Sequence, residues 1–207
     1  NAGSRREKFF VQGSYYERHT DYFMLSHSYQ PTTYQSDRKR DNSYSDFRKV
    51  NLKIGYIAAP DQEFTLNYQY QNNAKGNPPY SGIDDKQSTR FWQWPVWERQ
   101  SLYFISKNKI NANNDIKTSI YTDKFYNVMK SYDDQSYTTQ NKKYAFTSIY
   151  NDRNLGGNVI LSNTSVTNNQ LNFSVQINRN EHKSHNEGNP QLTNSDFVWS
   201  AGLDDRY

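Results

Sequence analysis

The sequence contains no cysteine, which removes disulfide frameworks, thiolate nucleophiles and cysteine-ligated metals together. It has no run of about twenty apolar residues, so a helical membrane span is not expected. Strands cross a membrane with only about ten residues of alternating character, and that route stays open. Only 33% of the residues are hydrophobic and the mean hydropathy is -1.13, close to the composition of disordered chains. One-sided charge is also lacking: 25 basic residues face 21 acidic ones, and the longest basic run is Arg38-Lys39-Arg40. With no basic stripe and no helix to present one, nucleic acid is not expected as a partner.

What the chain does have is aromatic residues, 18 Tyr, 11 Phe and 4 Trp, which disordered chains lack. Their placement is periodic. In residues 50–71, Val50, Leu52, Ile54 and Tyr56 alternate with Asn51, Lys53 and Gly55, and Phe64, Leu66, Tyr68 and Tyr70 alternate with Thr65, Asn67, Gln69 and Gln71. Period two marks strands with one apolar and one polar face. Pro60 and Asp61 supply turn chemistry between them, predicting an antiparallel hairpin.

The same alternation recurs. It is read at residues 8–16, then from Gln100 with Leu102 and Phe104, at Ile116 to Asp123, at Leu155 to Leu161, at Leu171 to Asn178 and at Phe197 to Leu203. About eight strands follow. Between them, tight turns are expected at Asn111 to Asn114 and Thr167 to Asn169, and long connections at residues 17–44, 72–97, 130–143 and 181–194. The Gly, Pro and Asp positions of 72–97 argue against a continuous ladder there. A soluble sandwich has no reason to sort loops by length, whereas an up-and-down barrel in an outer membrane has short turns on one side and long loops on the other. The expectation is an all-β antiparallel segment of a transmembrane β-barrel covering residues 1–207. The loss of alternation at Asp205 reads as a piece cut from a longer wall, with exposed strand edges open to self-association.

The runs KGNPPYSG, RFWQWPVWERQSLYFISK, IKTSIYTDKFYN, SYDD, YAFTSIYNDRNLGGNV and HNEGNP resemble the barrel region of TonB-dependent outer-membrane receptors, from about Arg40 onward. The resemblance implies a barrel of about twenty-two strands with a plugged lumen. It also implies import of a ferric siderophore, cobalamin or similar scarce ligand, location in the cell outer membrane and contact with its lipid. TonB would act only through a plug domain, which these residues are not expected to contain.

Tyr80, Arg90, Phe91, Trp92 and Trp94 are the candidate ligand-binding residues, a stacking and cationic platform on an outward loop for an aromatic or anionic ligand. The competing reading places Trp94 and Trp97 in the aromatic girdle at the membrane boundary. Arg38 to Arg40 and the pairs Asp84-Asp85 and Asp133-Asp134 are expected to be solvated loop residues, and His182 and His185 to bind no metal. No nucleophile elbow, phosphate cradle or spaced carboxylate pair occurs, so neither an enzyme nor a cofactor is expected. Two other readings stay open. A self-contained eight-stranded barrel would pair its first and last strands, and a soluble β-rich module would bury its apolar face.

Overall fold

The computed structural model describes residues 1–84 and 87–207, and these contain strands and loops but no helix. All strands lie in one antiparallel sheet in sequence order: β1 (Ala2–Arg5), β2 (Phe9–Thr20), β3 (Ser45–Ala59), β4 (Gln62–Asn77), β5 (Phe91–Asn111), β6 (Asn114–Tyr132), β7 (Phe146–Asn163), β8 (Gln170–Asn186) and β9 (Leu192–Arg206). The expected all-β, up-and-down architecture is therefore present. Among the described residues β1 and β9 do not pair with each other, and the sheet is open.

Register carries the period-two pattern intact from strand to strand. Val11 faces Ile54, Ile54 faces Leu66, Leu66 faces Phe104 and Phe104 faces Ile120. The row continues through Gly157 and Ile177 to Trp199. The result is an apolar band on one face, spanning about 20 Å along each strand at ~3.3 Å per residue. Leu66, Leu171 and Ile177 in this band are 44%, 41% and 50% exposed, so the band covers no interior. On its turn side runs an aromatic row, Phe9, Tyr56, Phe64 and Phe104, with neighbouring ring centres 4.9, 6.5 and 6.4 Å apart. The opposite face carries Gln12, Asn51, Gln69, Ser101, Asp123, Asn154, Asn178 and their neighbours.

Loop length sorts by rim. Pro60-Asp61, Ala112-Asn113 and residues 164–169 connect strands at one end, and residues 21–44, 78–90 and 133–145 at the other. The fourth connection on that second rim, residues 187–191, is short, where a long loop over 181–194 was expected. β8 continues through Glu181, His182 and His185, and β9 starts at Leu192. Likewise β4 runs on to Asn77 and β5 begins at Phe91, so much of the expected connection 72–97 is ladder. Beyond the apolar band β4 and β8 carry polar residues on both faces and β5 carries aromatics on both, which erases the alternation while the backbone pairing persists. Pro95 is accommodated in a bulge on β5, with Gln93 opposite Lys130 but Val96 opposite Val128; there its missing N–H interrupts no regular ladder bond. β1 was not anticipated, because its residues have no alternation; backbone pairing with Val11 to Gly13 holds it.

The long loops interlock over the apolar-face side of the sheet's upper end. Arg40 donates to the carbonyl of Pro79 and to Gln35, itself fully buried, and Arg38 donates to the Ser26 carbonyl. The basic triplet is thus partly a loop clasp. Asn42 sits in the left-handed region (φ 50), which Asn tolerates, and its amide donates to the carbonyls of Asn77 and Trp92. Phe91 packs edge-on against Tyr34 (5.4 Å) and Tyr137 (6.1 Å). At 6% exposure it is the one buried hydrophobic residue among those described.

Candidate ligand-binding site

The bulge at Pro95 determines where the tryptophans go. Trp92, Trp94 and Trp97 all emerge on the polar face, in a row of edge-to-face contacts that ends on Phe125 of β6. Successive ring centres are 6.2, 6.1 and 5.1 Å apart. Two cations lie against it. The Lys75 ammonium is 5.1 Å from the Trp94 ring centre and 4.0 Å from that of Trp97, and the Arg90 guanidinium is 4.7 Å from Trp92. Such contacts give roughly 0.5–2 kcal/mol each, depending on desolvation.

Below Trp97 the row meets a charged group of the polar face. Asp123 accepts from Arg99 (3.1 Å), from Tyr103 (3.1 Å) and from Ser101. A recess of about 590 Å³ lies here, bordered by Trp97, Arg99, Asp123, Phe125, Asp152 and His182. The His182 ring shares a 2.6 Å hydrogen bond with Asp152. Further across, Asn154 donates to Asn180, which donates to Asp196. These side chains form a track of donors and acceptors from the Trp row to the far edge of the sheet.

No family model, curated protein or solved structure matches this chain. The site therefore rests on its own geometry.

Of the five residues expected to act together, the structure brings together three. Arg90, Trp92 and Trp94 form the row, and Trp92 and Trp94 stand on strand β5 rather than on a loop. Phe91 points the other way into the loop contacts, and Tyr80 stays in loop 78–90, 37% exposed, against Gly82. Lys75, Trp97 and Phe125 complete the row. Lys75 and Phe125 had no signal in the sequence, because cross-strand neighbours appear only once register is known. Trp97 and Trp94 lie off the apolar face, and the aromatic row of that face is made by other residues.

Asp133 is 6% exposed rather than solvated. Its carboxylate accepts the backbone N–H groups of Asn141 and Lys142, each at 2.8 Å. Burial pushes its pKa up, but these bonds and one from Thr139 outweigh burial and hold it below the usual aspartate value. Asp84 belongs to the described loop, whereas Asp85 lies outside the described residues. No cluster of three metal-ligating side chains occurs among the described residues.

Proposed function

We propose that this chain forms part of the wall of an outer-membrane β-barrel belonging to an active importer, of the kind served by TonB. The observation that carries the reading is the two-faced single layer. An exposed apolar band crosses β2 to β9 at one height, a contiguous apolar surface of the kind soluble monomers rarely leave bare. Facing lipid, each Å² taken from water contributes roughly 25 cal/mol. The polar face suits a water-filled lumen, and the sorting of loops suits a barrel with one long-looped rim.

In this reading the Arg90 to Phe125 row and the loop residues beside it form the capture end of the path, and the Asn, Ser and Asp track below lines the descent. The ligand class is a scarce nutrient such as a ferric siderophore, as the sequence resemblance suggests. In such importers TonB acts on a plug domain, while strands like these supply wall, rim and ligand contacts.

The absence of cysteine makes the test direct. Single cysteines at Leu52, Leu66, Val159 and Val175 on one face, and at Asn51, Gln69, Asn158 and Ser174 on the other, are placed in protein reconstituted into lipid vesicles. Lipid-soluble maleimide is expected to label the first set and a charged, water-soluble maleimide the second. Equal labelling of both sets by the water-soluble reagent would overturn the proposal.

A further inference from the structure

We infer that a cleft at the loop end of the polar face binds a flat ring bearing negative charge, an aryl carboxylate, sulfonate or phosphate. The cleft encloses about 690 Å³ between loops 78–90 and 133–145 and the adjoining ends of β5, β6 and β7, within the usual range for small-molecule sites. Its lining contributes two cations, Arg90 and Lys143, and no Asp or Glu among the described residues. Neither cation forms an ion pair with a described residue.

The Arg90 guanidinium lies 4.7 Å from the Trp92 ring centre, and no hydrogen bond to a described residue occupies its N–H edge. That edge is the part that grips a carboxylate or phosphate with two parallel bonds. Thr89 also borders the cleft, and its hydroxyl has no hydrogen-bond partner among the described residues. Tyr144 and Trp92 supply ring surface around these groups. A neutral sugar would also find aromatic surface, but it would bring no counter-charge to the two cations of the described lining. The charge balance of the lining therefore selects an anion, and its rings select a flat one.

This assignment deepens the proposed importer reading by naming the ligand chemistry at its capture end. The probes are 2-naphthoate and its neutral counterpart 2-naphthamide, applied to the full chain in nonionic detergent and followed by equilibrium dialysis and tryptophan quenching. The expected result is naphthoate binding about tenfold tighter than the amide, with the preference falling as salt rises. Arg90→Gln and Lys143→Gln should each remove most of the preference and leave amide binding in place, which also reports that the cleft is intact. Lys39→Gln, on loop 21–44, should change nothing. Equal affinity of the two probes, or a preference that survives in the double Arg90→Gln, Lys143→Gln variant or at high salt, would overturn the assignment. Either result leaves the cysteine-labelling pattern of the two faces unaffected, so the two proposals fail separately.

Discussion

Trp94 and Trp97 are three residues apart, a spacing that puts side chains on opposite faces of a regular strand, yet their rings meet edge to face with centres 6.1 Å apart. The bulge at Pro95 supplies the extra residue that turns both to the polar side. Bulges recur beside functional sites because they re-aim one side chain without ending the strand.

Rings this close couple their electronic transitions. The far-ultraviolet circular dichroism should carry a tryptophan couplet superimposed on the strand signal. Trp94→Phe, which removes the middle member, should abolish it, whereas Trp199→Phe on β9 should leave it. A couplet that survives Trp94→Phe would show that the row is not assembled in solution.

Gly76 gives the second prediction. A Cβ at this position would run into the backbone carbonyl of Asn42, so loop 21–44 rests directly on β4. Backbone cannot swing aside as a side chain does, and Gly76→Ala is expected to cost about 1–3 kcal/mol locally. Limited proteolysis should find loop 21–44 opened while strand content is unchanged. Gly13→Ala, where the nearest atom would be 3.9 Å away, serves as the neutral control.

How much of this was legible in the sequence depends on what the sheet faces. Where one face is apolar, as from Val50 to Tyr56, alternation gives strand, face and neighbour register together. Above the band, where Gln71, Asn72, Asn73, Ala74 and Lys75 follow one another, no periodic contrast exists, and the strands were expected to end too early. The site suffers most from this. Trp92 and Trp94 are read as ligand contacts from residue type and an expected loop position, but Lys75 reaches their row only through pairing with β5. Phe91, adjacent in sequence, belongs to the loop contacts because strand neighbours point to opposite faces.

Asp123 is the third test. It collects Arg99, Tyr103 and the buried Ser101 on one carboxylate. Asp123→Asn keeps the shape but forfeits the charge, and hydrogen bonds to a charged group are worth about 1.5–3 kcal/mol. The variant should lose roughly that much in denaturant unfolding from detergent. The companion Arg99→Gln should lose less, since Arg99 is half exposed and such pairs are partly screened by solvent. Equal, negligible losses would remove Asp123 as an organising residue.

The last prediction concerns pH. Loop 133–145 closes on the Asp133 carboxylate through the N–H groups of Asn141 and Lys142, and these bonds hold its pKa below the ordinary aspartate value. A carboxyl lowered in the folded state contributes stability that is fully present above its unfolded pKa. That contribution fades as pH falls through the folded value. Exchange protection of the Asn141 and Lys142 amides should therefore persist through mildly acid conditions and drop only below the ordinary aspartate range. Asp133→Asn cannot ionise, so it should show weaker protection of both amides at neutral pH and no acid step. Because Tyr137 of the same loop packs on Phe91, the opened loop should also uncover Phe91. Protection that is identical in the two proteins at every pH would show that the carboxylate does not hold the loop.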